Sequence, residues 1–345
     1  MIVLPDPILA PAIMAAVKGS VGEQGLNPIQ KSTMEAIAHD VMHTELDVAA
    51  LSPLTPEQAA KEILDPQIRL QVVQAMLALE LLLPLNDSEG KETEEAKLRV
   101  SRDQADLIES YAQAFDVSVG QLKTYRALAD DNIKIMYFDL FARTALRRAA
   151  IDTIKDAGVR SFVKTMAAVR GVGTNQKVAD KFRRLEDLPE GTWGRQVANM
   201  YQTNDWPYPG ETHGAPEPTS MHDWVHVISG YSPTPVGELQ VNTFMHTTMD
   251  DPSSFGQIVL AMSLYGLGNI SLPIGNFTSD GGDLARNDIG HLFSEAVIRS
   301  KATGTDFMFE VDHWGNADKS VEAIREQYGI PEKTYDIGEG DPGIT

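Results

Sequence analysis

Residues Ser220–Phe244 read SMHDWVHVISGYSPTPVGELQVNTF. His222 and His226 are four apart, which on a helix places them one turn above each other on one face. Asp223 stands about 100° round from His222, at the edge of that face. Ser220 is the expected N-cap, and Asp223, three residues on, completes a capping box. Gly230–Pro235 reads as a turn. Thr234-Pro235 then opens a second helix, with Thr as cap and Pro at the first helical position. Glu238 falls on the first turn of that helix, so a helical hairpin carries it back towards the two histidines. Two imidazoles and two carboxylates from one hairpin suit a divalent ion such as Zn²⁺, Fe²⁺ or Mn²⁺. His222, His226 and Glu238 are the expected ligands, and Asp223 is a ligand or a general base beside them. Asp223 and Glu238 are thus the carboxylates expected to take part in catalysis. An isolated His-Asp-x-x-His also occurs as ordinary helix histidines and a capping aspartate; the whole set, with Glu238, is what points to metal.

Working outward, helix signals recur on both sides. Asn27-Pro28-Ile29-Gln30 is a capped helix start, as are Thr55-Pro56 and Asp65-Pro66. Ile68–Leu83 is apolar almost all round, the mark of a buried helix. After the acidic loop Pro84–Glu95, Ser101–Gln104 repeats the capping arrangement, and Gln30, Glu35 and Ala38 align with Gln104, Glu109 and Ala112, a weak internal duplication. Asn132–Arg148 reads as an apolar-sided helix joining two parts of the chain. The expected fold is all-α, because nearly every periodic segment has the helical period. Two helical domains are expected, 1–130 and 131–335, the second a bundle carrying the metal hairpin, with 336–345 a flexible tail.

Pro252–Ser279, just after the hairpin, carries no charge. Such a run in an acidic chain is either plain core or the wall of an apolar ligand site. Phe255, Val259, Met262 and Gly266 are the expected lipid-contacting residues, with the glycines leaving room and methionine an adaptable wall. Its glycines and Pro273 argue against a membrane span.

The chain has 345 residues, a formal charge of −20 and no cysteine. That charge argues against nucleic acid as a partner, since phosphate binding needs a basic face. Without cysteine there is neither a disulfide nor a thiolate metal site. No glycine pattern of a dinucleotide or Walker loop follows a strand, and no Gly-x-Ser-x-Gly elbow occurs. A cytoplasmic protein is the expectation.

His-Asp-x-x-His, eleven residues, then Glu resembles the signature of the coenzyme Q (ubiquinone) biosynthesis protein four family. Leu188–Tyr201, LPEGTWGRQVANMY, resembles that family's Leu-Pro-x-Gly-Thr-x-Gly segment, and Phe309–Ile330 its closing helix. The resemblance covers roughly residues 135–330. It implies zinc as the cofactor. It also implies a role in ubiquinone biosynthesis on a polyprenylated aromatic acid, at the ring carbon that loses its carboxylate. For an oxidative reaction Fe²⁺ with O₂ is the more natural chemistry. The partners implied are a prenylated quinone precursor, other quinone-biosynthesis proteins, a peripheral contact with the inner face of the membrane, and a second copy of the chain in a homodimer. A different class, a non-catalytic prenyl-lipid-binding scaffold with a structural metal, accounts for the same residues. A phosphohydrolase of the His-Asp type shares only that pair. Residues 1–130 are similar to the tellurite-resistance TerB-like helical domain, which has two related halves.

Overall fold

The computed structural model describes residues 1–82, 102–118, 148, 151, 154–155, 158–250, 254–267, 270–272, 275–277 and 284–334. The expected helix over 132–148 and the acidic loop of 84–95 lie outside them, apart from Arg148.

The protein is all-α, as its periodicity requires. In chain order the helices are α1 (Ala10–Gly19), α2 (Pro28–Asp40), α3 (Pro56–Glu62), α4 (Pro66–Leu79), α5 (Arg102–Ala114), α6 (Val159–Val169), α7 (Gln176–Arg183), α8 (Trp193–Thr203), α9 (Met221–Ser229), α10 (Pro235–Thr247), α11 (Ser254–Leu267), α12 (Ile289–Thr303) and α13 (Val321–Gln327). Among the described residues one antiparallel hairpin interrupts them: β1 (Ile270–Leu272) pairs with β2 (Gly275–Phe277), Ser271 opposite Asn276. The described part of the charge-free run is therefore a helix followed by two short strands.

The caps read from the sequence form. Asn27 and Gln30 exchange both bonds of a capping box, as do Thr55 and Gln58. Asp65 accepts from Gln67 N and Ile68 N. Each satisfies amide donors that a helix start leaves open. In the proposed duplication, Met34 and Ile108, and Ala38 and Ala112, are all buried at equivalent positions of α2 and α5.

Among the described residues, two apolar clusters hold the helices together. The first joins α1–α5 to Val236 and Leu239 of α10, Phe255, Ile258, Val259 and Met262 of α11, and Ile289 and Leu292 of α12. One core thus takes in residues from both sides of position 130. Gly290 is what lets α12 lie against α2: a Cβ there would sit 2.6 Å from Thr33 Cα and 2.9 Å from Ala36 Cβ. The second cluster packs α7, α8, α9 and α13 with the far side of α10, around Trp193, Trp224, Tyr231, Phe244 and Phe307. The stretches Leu188–Tyr201, Ser220–Phe244 and Phe309–Ile330, far apart in the chain, meet in it. α10 lies between the two clusters, with Glu238 near its start.

Candidate metal centre

α9 begins without the cap its sequence suggests. Ser220 already has near-helical dihedrals (φ −72°, ψ −5°), and its hydroxyl donates to Glu217 O at 2.7 Å. The Ser220–Asp223 capping box does not form, because the turn from Pro216 runs straight into the helix and occupies the serine. Asp223 is drawn to other side chains. Its Oδ2 accepts from the Tyr201 hydroxyl, and its Oδ1 lies 3.2 Å from His222 Nε2. At the other end Gly230 takes a left-handed conformation (φ 75°) and closes the helix. α10 starts on Thr234, whose hydroxyl accepts from Gly237 N at 3.2 Å. A Cβ on Gly237 would fall 1.9 Å from Ser232 O, so glycine permits the tight return.

The hairpin delivers Glu238 to the histidines. Its Oε1 is 3.3 Å from His226 Nε2 and its Oε2 3.5 Å from His222 Nε2. The imidazole centroids are 5.3 Å apart. Each ring is turned by its other nitrogen: His222 Nδ1 donates to Thr219 O at 2.5 Å, and His226 Nδ1 to Tyr231 O at 2.8 Å. With Nδ1–H so committed, neutral rings present bare Nε2 lone pairs to a carboxylate. Three acceptors facing one another need a cation between them. One ligand atom from each of His222, His226 and Glu238 can be chosen so that all lie within 4.8 Å. His226 Nε2 is fully buried without a hydrogen-bond partner, an orphaned atom aimed into this space. The donor set therefore fits a divalent ion. Asp223, expected as a fourth ligand or base, stands on the edge of the trio, tied to Tyr201.

The charges agree with this. For His222, burial acts to lower its pKa, but Asp223 and Glu238 outweigh it and the net value is raised to about 10. For Glu238, burial acts to raise its pKa, yet His226 and His222 hold its carboxyl well below the carboxylate range. Asp223 moves the other way: burial raises its carboxyl, against the pull of His222 and Tyr201. In the ion-free protein a proton on His222 supplies the cation, donating to Thr219 O on one side and the carboxylates on the other.

Sequence reasoning missed Tyr201 and Tyr265. Tyr201 lies 22 residues before Asp223 and is buried beneath it. Tyr265, on α11, has its phenol pushed well above the usual range, first by burial and then by the charges of Glu238 and Asp223. Only the helical register of Tyr265 after Phe255, Ile258 and Met262 hinted at it. Replacing Tyr201 by Phe leaves Asp223 Oδ2 without its donor. The expected cost is about 1–3 kcal/mol, read from urea melts of the ion-free protein.

Of the expected lipid-contacting residues, Phe255 and Met262 line a cavity of about 160 Å³. Val259 packs in the core beside it, and the surroundings of Gly266 on α11 lie outside the description. The cavity is walled by α1, α2, α4, Leu239, Ile289 and Phe293, and is bordered by Ile2–Pro5, whose Val3 is held by Gln71. It shares α10 with the candidate metal centre, since Leu239 in its wall follows Glu238.

The chain matches no family model, no curated protein and no solved structure. Among the described residues no helix is long and apolar enough to cross a membrane.

Proposed function

We propose that this protein is a metal-dependent component of quinone-ring modification, acting on a polyprenylated aromatic acid of ubiquinone-type biosynthesis. The observation that carries the reading is the fixing of His222 and His226 by main-chain carbonyls, so that both Nε2 atoms face Glu238. The resemblance of the His-Asp-x-x-His…Glu hairpin and its flanks to the ubiquinone-biosynthesis family supplies the substrate class. The apolar cavity, with Leu239 next to Glu238 in its wall, suits the prenyl tail.

His222, His226 and Glu238 would hold the ion, zinc by the resemblance, Fe²⁺ for an oxidative reaction. Such an ion supplies a Lewis acid against a carboxylate or phenolic oxygen. Three protein donors is the number found in catalytic zinc centres, whereas structural ones close with four; this favours an enzyme over a lipid-presenting scaffold. Asp223, with its carboxyl raised by burial and one oxygen held by Tyr201, is the group placed to take or give a proton. His222, about a third exposed, marks the open side by which a ring would approach.

The test is elemental analysis of the purified protein together with equilibrium binding of a prenylated hydroxybenzoate and of the same ring without its tail. About one equivalent of divalent metal per chain is expected, with the prenylated acid bound far more tightly. Ala75→Leu, which narrows the cavity, should weaken the prenylated acid alone. A metal-free wild type, or equal binding of both acids, would sink the reading.

A further inference from the structure

The last carbonyls of an α-helix have no partner within it. On α9 those of Val227, Ile228, Ser229 and Gly230 are each met by a cation from elsewhere in the chain. Arg325 on α13 donates Nε to Ile228 O at 2.8 Å and Nη2 to Val227 O at 3.2 Å. Arg299 on α12 donates Nη1 to Ser229 O at 2.9 Å. Lys333 donates Nζ to Gly230 O at 3.1 Å. Positive charge at a helix C-terminus is favourable, but a nine-residue helix does not need three cations for that alone.

Arg299 is the best placed of the three to act on the metal centre. It is 4% exposed, and its Nε and Nη2 both donate to Pro331 O, at 3.0 and 2.7 Å. Its guanidinium also lies 4.9 Å from the centroid of the Tyr231 ring and 5.8 Å from that of Phe244. It therefore grips both sides of Gly230: the Ser229 carbonyl before it and the Tyr231 ring after it. The Tyr231 carbonyl, next in the chain after the second of these anchors, is the one that accepts His226 Nδ1–H. His226 is fully buried, so main chain rather than water sets its ring.

We propose that Arg299 is a positioning residue for the metal centre: it fixes the Ser229–Tyr231 turn and, through Tyr231 O, the tautomer and orientation of His226. This rests on the reading of His226 as a ligand. The main chain thereby holds the second imidazole aimed at the space that His222 and Glu238 also face. Removing a group that orients a ligand commonly costs roughly 10- to 100-fold in metal affinity.

The comparison is Arg299→Met and Arg299→Lys against Arg69→Met. Arg69 is a matched control remote from the centre, donating to Ile63 O, Ala60 O and Phe115 O. Imidazole ¹⁵N NMR of the metal-free proteins reads the His226 tautomer, zinc titration reads affinity, and the Co²⁺ visible spectrum reads coordination. Arg299→Met is expected to release His226 from the Nδ1–H tautomer, weaken zinc by roughly 10-fold or more, and alter the Co²⁺ spectrum. Arg299→Lys, which keeps one donor for Ser229 O, should fall between it and the wild type, and carries the test should the Met variant not fold. Arg69→Met should lower Tm with His226 and zinc affinity unchanged. If the Arg299 variants lower Tm while the His226 signals and zinc affinity stay at wild type, Arg299 only caps a helix and the proposal falls. If the wild type binds no zinc yet Arg299→Met still frees His226, the ligand reading has failed and the positioning of His226 stands.

Discussion

Replacing His226 by alanine is expected to weaken divalent-metal binding at least about a hundredfold while the helical circular dichroism persists. His226 is completely buried, and its Nε2 faces Glu238 across 3.3 Å, so its loss removes one of the three donors that face one another. His222→Ala should act in the same direction and Glu238→Gln likewise. Unchanged metal content in both histidine variants would mean that the centre is not there. Proton release gives a second reading of the same site. In the ion-free protein His222 is raised to about 10, so at pH 7 it carries the proton that an entering ion must displace. Loading is expected to release about one proton per ion, visible as a dependence of the binding enthalpy on buffer. Apparent affinity should climb about tenfold per pH unit from neutrality towards pH 10 and then level off. No proton release at pH 7 would contradict the charge arrangement around His222.

The second large effect is a pair of opposed pH slopes in stability. His313 is buried in an aromatic box, with ring centroids 5.2 Å from Trp193 and 6.0 Å from Trp224. Burial pushes it down to about 4 from its ordinary 6.5. Between those values the unfolded chain binds a proton that the folded one refuses. The stability from neutral His313 is therefore complete above pH 6.5 and is lost as pH falls through 4, a change of about 3 kcal/mol. Glu80, at the end of α4, is 3% exposed with Oε1 unpartnered, and burial raises it from 4.5 to about 7. Its sign is opposite. Stability from the neutral carboxyl is complete below pH 4.5 and is lost as pH rises through 7, again about 3 kcal/mol. Over pH 4.5–6.5 the two slopes largely cancel in the wild type. Urea melts of the ion-free protein should show Glu80→Gln gaining stability relative to wild type as pH rises from 4.5 to 8. His313→Phe should gain relative to wild type as pH falls from 6.5 to 4. Parallel pH profiles for wild type and either variant would overturn the assignment for that residue.

Much of the local structure was legible because its causes are local. Asn27 with Gln30, Thr55 with Gln58, Asp65 and Thr234 cap the helices they precede, since the satisfied amides lie within three residues of each oxygen. The meeting of His222, His226 and Glu238 was legible for a related reason. The turn from Gly230 is short, so Glu238 on the next helix has little freedom but to return to the face that carries His222 and His226. Ser220 shows the limit of such reading. Its sequence context is that of a cap, but the preceding Pro216 turn already supplies helical geometry and engages its hydroxyl.

The amino-acid sequence by itself determined the helical class, most helix starts and the gathering of His222, His226 and Glu238, because periodicity, caps and a tight turn act over a few residues. Tertiary structure alone decided the rest. It set Tyr201 against Asp223, Arg299 on the turn that holds His226, and α2 against α12 at Gly290. It also placed Met262 and Phe255 at an apolar cavity shared with the first helices, while Val259 went into the core. These contacts join residues from 22 positions apart to more than two hundred. At such separations nothing in a local pattern specifies the partner: burial of apolar faces chooses which helices meet, and the polar contacts follow from that choice.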